Sequence, residues 1–225
     1  MTVDRPLPGP RPRSGPDRAD RFLRNWLLWV SLGESVGFLV PALAQLTFAG
    51  SSSVLAPALI FAGAAEGTVL GWTQATVLRS RVPALNRRRW VGATAIAGAA
   101  AWFIGLLPAE WAEVWQRWPA AAQFTAGILL ATVLLCALGF AQWFELRRHL
   151  RGAGWWILGS AAAWGAGLAV FFAVATPLWQ PGQPGALILL IGVLAGMFMA
   201  VAMALVSGVV LHLLLRRKES PRQQP

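Results

Sequence analysis

Residues 54–81 read VLAPALIFAGAAEGTVLGWTQATVLRSR, an apolar run from Val54 to Leu78 that stops abruptly at Arg79 and Arg81. A hydrocarbon core about 30 Å thick needs roughly 20 apolar residues per crossing helix, so this run is long enough to span a bilayer. Within it Gly63, Gly67 and Gly71 recur every fourth residue and share one helical face. In lipid, that spacing lets two backbones approach closely, because packing must replace the missing hydrophobic drive. One carboxyl interrupts the run: Glu66 lies about 20 Å of helix rise from Arg79, near the midplane.

Five further runs of the same kind surround it, at Trp26–Phe48, Trp90–Leu107, Ala120–Phe144, Trp155–Thr176 and Ala186–Leu215. In a chain of 225 residues, 56% hydrophobic and 12% charged, six such runs with short connectors leave no room for a soluble domain. The expected fold is therefore all-α: a polytopic membrane protein whose six transmembrane helices occupy residues 23–217. The Pro-rich, polar stretch before it (1–22) and the short polar end after it (218–225) read as disordered cytoplasmic tails. Eighteen of the nineteen basic residues lie before span one, between spans two and three, between four and five, or after span six, and only Arg117 lies in the alternate loops. The positive-inside rule then places both termini in the cytoplasm. An apolar stretch ending at Ala42-Leu43-Ala44 also has the small-residue spacing of a signal-peptidase site. Glu34 within it and the long polar run ahead of it favour a retained first span.

Ten of the thirteen Trp, with Trp26, Trp90, Trp155 and Trp156 among them, fall near span boundaries and read as interfacial anchors. In the loop after span three, Trp111, Trp115 and Trp118 share a helical face, which predicts a short helix lying on the outer surface with its indoles in the interface.

The chain also matches itself. Gly71, Gly139 and Gly208 precede Leu78-Arg79, Leu146-Arg147 and Leu215-Arg216 at one spacing, and Gln74 and Gln142 occupy the same place in two of these segments. Ala-Ala-Ala-Trp-x-x-Gly occurs at Ala99–Gly105 and at Ala161–Gly167, and Trp26, Glu34 and Gly37 keep the spacing of Trp156, Trp164 and Gly167. Three out-and-back helical hairpins about a pseudo-threefold axis are the architecture this implies. The segment Gly139-Phe140-Ala141-Gln142-Trp143-Phe144-Glu145-Leu146-Arg147, followed by Gly154-Trp155-Trp156, resembles one that recurs in uncharacterised bacterial multi-pass membrane proteins, with the spacing G-x-x-Q-W-x-x-L-R. At Gly71–Arg79 the match is weaker, since Ala75 stands where Trp143 does. The resemblance implies the fold and a bacterial inner-membrane location, and carries no activity.

Polar groups inside the spans are few. Neither Glu34 nor Glu66 has a Lys or Arg within the apolar runs to pair with, and an ionised carboxylate there costs several kcal/mol. Each should be protonated, share a proton with the other, or hold a cation from outside the chain. Gly33 and Gly37 beside Glu34, and Gly63 and Gly67 beside Glu66, predict that the contact between spans one and two brings the acids together. Gln74 and Gln142 join them as candidate site residues, with interhelical hydrogen bonding as the plainer use of two buried amides. His212 reads as an interfacial residue able to reach headgroups, or as a pH-sensitive member of a cytoplasmic gate. Cys136 reads as an inert thiol, and one Cys with two His offers neither a nucleophile–base pair nor a metal or cofactor site, so no enzyme is expected. The Arg clusters suit anionic headgroups and call for no nucleic acid. Two functional readings follow: a transporter or binding protein for a proton or a cationic or amine-bearing solute, and a scaffold or accessory subunit that binds another membrane protein. The topology is checked by a reporter fused after Pro225, which should be active only on the cytoplasmic side; activity on the outer face alone would refute it.

Overall fold

A backbone in hydrocarbon must satisfy its N–H and C=O groups within its own segment, and the apolar runs do so as helices. In a computed structural model that describes residues 16–219, these are α1 (Pro16–Phe48), α2 (Ser52–Leu78), α3 (Arg87–Glu110), the single turn α4 (Ala112–Trp115), α5 (Ala120–Leu146), α6 (Trp155–Leu178) and α7 (Gly185–Glu219). All but α4 are long and apolar enough to cross a membrane. The protein is an all-α, multi-pass membrane protein. Phe61, Ile96 and Phe124 stand 77%, 73% and 71% exposed on the outside of the bundle, a disposition that suits acyl chains.

Boundaries follow local chemistry. Asn86 caps α3 by accepting the Arg89 N–H on its side chain at 3.1 Å, and Pro119 stands just ahead of α5. Two helices run beyond the expected spans: α1 begins at Pro16, so positions 16–22 of the expected disordered tail are helical, and α7 continues through 218 and 219. The rest of both expected tails, 1–15 and 220–225, lies outside the described residues. The outer Trp segment also differs from expectation. Its helix closes after one turn, with Trp111 and Trp118 exposed and the Trp115 and Trp118 rings 5.0 Å apart, because the run turns at once into Pro119.

The six long helices form a closed ring in chain order: each packs on its neighbours in sequence, and α7 returns to α1. Along the bundle axis the ring has two unlike halves. At the arginine-bearing end one core draws on all six helices, with Trp26, Trp90, Trp156, Leu78, Leu146 and Leu211 at its heart. Among the described residues the opposite half holds a small cluster of Ala175, Ile191 and Ala195 between α6 and α7. Among the described residues the prolines inside the helices, Pro41, Pro57, Pro108 and Pro177, lie toward that second end, where each removes a backbone N–H donor.

Glycine faces set the helix contacts, though not all as expected. A Cβ on Gly37 would come within 3.1 Å of the Glu66 carbonyl, and one on Gly33 would meet Thr73, so the α1 pair does pack on α2. Gly63, Gly67 and Gly71 instead face α3: their added Cβ atoms would meet Trp102 and Gly98, then Thr94 and Ala95, then Thr94 and Val91. This corrects the expectation that Gly63 and Gly67 would close the α1–α2 contact. Glu66 stands about 100° around the helix from Gly67, off the glycine stripe, and so belongs to the face that meets α1. Its Cα and Cγ lie against Gly37.

Gly71 and Gly139 make matching contacts, the first with Val91 and Thr94, the second with Ile157 and Ser160, while Gly208 packs on Trp26. These contacts equate Thr94 with Ser160. The Ala-Ala-Ala-Trp match between spans three and five is therefore offset by four residues, about one helical turn, from the register in which those helices meet α2 and α5.

The close α2–α3 contact generates a stability prediction. At Gly67 an added Cβ would sit 3.0 Å from the Ala95 Cα, backbone that has no easy way to yield, whereas at Gly92 it would meet nothing within 4 Å. Gly67→Ala should destabilise the protein by about 1–3 kcal/mol and Gly92→Ala should not, as read by thermal melts in detergent.

Candidate functional site

Two carboxyls meet where α1 crosses α2. The absence of a side chain at Gly37 lets the α2 backbone come close, and one turn along the same helix Glu34 points at Glu66. Glu34 is fully buried, and Glu66 is 8% exposed. The Trp102 indole donates to the Glu66 Oε2 at 2.8 Å, and Gly63 makes the room for that ring. Glu34 is different. Among the described residues neither of its oxygens meets an N–H or O–H donor, and its polar neighbour is the other carboxyl. Two ionised carboxylates are acceptors only, so a hydrogen bond between them requires a proton that one of them carries.

Glu66 also borders a cavity of about 650 Å³, lined by residues from all six long helices. It is the one ionisable side chain in that lining; the rest is Gly, Ala, Leu, Met and the aromatic side chains of Phe38, Trp102, Trp164, Phe171 and Phe172. A volume of this order suits a small organic molecule. Toward the arginine-bearing end the lining finishes at Leu70 and Leu138.

One turn beyond those leucines lie Gln74 and Gln142, which face each other across the ring. The Gln142 amide donates to the Gln74 Oε1 at 2.8 Å and to the Thr94 Oγ1 at 2.9 Å. Trp156 donates to the Gln142 Oε1 at 3.0 Å, and Trp90 to the Gln74 Oε1 at 3.2 Å. On the third side Trp26 donates to the Ser207 Oγ at 3.1 Å. The Trp156 ring centroid lies 6.4 Å from that of Trp26 and 6.2 Å from that of Trp90, so the three indoles form a layer across the bundle.

The four sequence-derived site residues thus form two pairs, the two acids and the two hydrogen-bonded amides. Glu66 borders the cavity and Glu34 stands behind it, while Gln74 and Gln142 lie outside its lining and bond within the protein. Three of the Trp read as interfacial anchors are corrected as well: Trp26, Trp90 and Trp156 are no more than 1% exposed, because each indole N–H has an acceptor inside the bundle. Trp155, next to Trp156, is 59% exposed and does suit an anchoring position. His212 is buried with Leu211, Leu214 and Leu215 on the inward face of α7, away from the headgroup-exposed position expected of it.

Sequence reading missed Thr94, Ser207 and Glu145. The last is a buried acid at the arginine-bearing end whose Oε1 accepts the Asn86 backbone N–H at 2.8 Å and lies 3.0 Å from the His149 Nε2. It thereby ties the start of α3 to the loop after α5. Arg89 and Arg148 stand 4.0 and 3.9 Å from its other oxygen, and both are more than half exposed, so these ion pairs contribute little. The available signal was an acid directly ahead of an Arg run, one turn after Gln142.

Comparison with protein-family models, with curated proteins and with solved structures finds no match to this chain. The amide layer is checked directly. Gln142→Leu strips the Trp156 N–H of its acceptor and removes one of the two donors to the Gln74 Oε1, so it should destabilise the protein by about 1–3 kcal/mol in a detergent melt; an unchanged melt would show that the layer is not held by these bonds.

Proposed function

We propose that this protein is a membrane transporter or carrier that binds a small, largely apolar solute bearing a positive charge. The observation that carries the reading is the single acid in the lining of an otherwise apolar and aromatic cavity. A carboxylate bordered by low-dielectric walls attracts a cation more strongly than it would in water, and the faces of Phe and Trp rings favour the same charge. A strongly hydrated inorganic ion would find few oxygens there to replace its water, whereas an organic ammonium brings its own apolar surface. Lying between the cavity and the arginine-bearing end, the leucine and tryptophan layers form a barrier of the kind alternating access requires. By the positive-inside rule that end is cytoplasmic, which would make this the state closed to the cytoplasm.

Binding is tested with benzyltrimethylammonium against its neutral carbon isostere, neopentylbenzene, by tryptophan fluorescence of the purified protein. The cation should bind at least tenfold more tightly, about 1.4 kcal/mol, and Glu66→Gln should erase that preference. Uptake of the labelled cation into proteoliposomes then separates a transporter from a binder. Equal affinity for cation and isostere, or a cation affinity untouched by Glu66→Gln, would refute the reading; no binding together with a stoichiometric co-purifying membrane protein would support an accessory subunit instead.

A further inference from the structure

Behind Glu66 lies a second acid that the cation-binding reading leaves without a task. Glu34 has no surface exposure, is absent from the cavity lining, and has no N–H or O–H donor among the described residues. Hydrocarbon makes such a group costly unless it carries a proton or faces a compensating charge. The helices packed on the pair supply no such charge. Between Arg24 and Arg79 the titratable side chains of α1 and α2 are Glu34 and Glu66 themselves; α3 has none from Trp90 to Ala109, and α7, which flanks α1, has none before His212. The cavity lining contributed by α5 and α6 has none either.

We infer that Glu34 and Glu66 form a proton-exchange pair, in which an organic cation entering the cavity displaces one proton from Glu66 while Glu34 keeps its own. This rests on the cation-binding reading and specifies its coupling. Before binding, both carboxyls are protonated and the site is neutral. On binding, the Glu66 O–H bond breaks, its proton leaves to water, and the cation takes its place beside the Glu66 carboxylate. Net charge at the site is zero in both states. Glu34 acts as a positioning residue: its retained O–H donates to the new carboxylate, and the Trp102 indole donates to the other side. A quaternary ammonium has no proton of its own, so any proton released on binding comes from the protein.

The experiment is isothermal titration calorimetry of the purified protein with benzyltrimethylammonium in buffers of different ionisation enthalpy. The expected result is release of about one proton per cation bound, with affinity rising about tenfold per pH unit over the range in which the pair is fully protonated. Glu34→Leu, which removes the donor, should weaken binding tenfold or more. Glu34→Gln, whose amide N–H can donate in place of the acid, should weaken it by only a few-fold and still release one proton. Cation binding without proton release would overturn the exchange while leaving the cation site standing. Absence of binding by the unaltered protein would overturn the cation site and the exchange with it. Equal losses in Glu34→Gln and Glu34→Leu, or no loss in either, would overturn the role of Glu34, and Glu34→Gln supplies the proton count should Glu34→Leu fail to fold.

Discussion

Inside a bilayer a polar side chain has only the protein's own groups for partners, and that constraint organises this bundle more than any apolar contact does. Trp26, Trp90 and Trp156 are held inside because Ser207, Gln74 and Gln142 accept their indole protons. Gln142 in turn gives its amide protons to Gln74 and Thr94, so four helices are joined by one set of bonds. Glu145 follows the same rule at the arginine-bearing end through the Asn86 N–H and His149. Glu34 is the acid that departs from it, and a carboxyl left without a donor at such a depth is where function is to be sought.

Backbone proximity is the second organising term. Gly63, Gly67 and Gly71 set α2 against α3, and Gly33 and Gly37 set α1 against α2. With α2 packed on both sides, Glu66 is delivered to one place, reached by Trp102 from α3 and by Glu34 from α1. The same small residues leave space beside it. Where large side chains with Trp26, Trp90 and Trp156 among them fill the ring it is solid, and where Gly63, Gly67, Gly98, Gly105 and Gly165 stand among leucines and aromatics it borders the cavity. The ring therefore has a solid half, which carries the arginines, and a hollow half, whose cavity Glu66 borders.

Six helices, their limits to within a few residues except at the start of α1, and the placement of two acids deep in the bundle were legible in the sequence, because each depends on local features: run length, the abrupt onset of Arg, and helix rise. Which helix each glycine stripe would meet was not, since a stripe records that something comes close and not what. Trp156 and Trp155 are adjacent and chemically identical, yet one is buried and the other exposed; only the presence of Gln142 across the ring distinguishes them. Likewise Glu34, Glu66, Gln74 and Gln142 looked like one set, yet of the four Glu66 alone lines the cavity, and the two amides are spent on each other and on the indoles. The sequence by itself determined that this chain crosses a membrane six times as helices, because hydrocarbon admits no other use of such runs. Tertiary structure alone decided that one acid borders a cavity and the other stands behind it, because that depends on which faces of α1, α2 and α3 the glycines bring into contact.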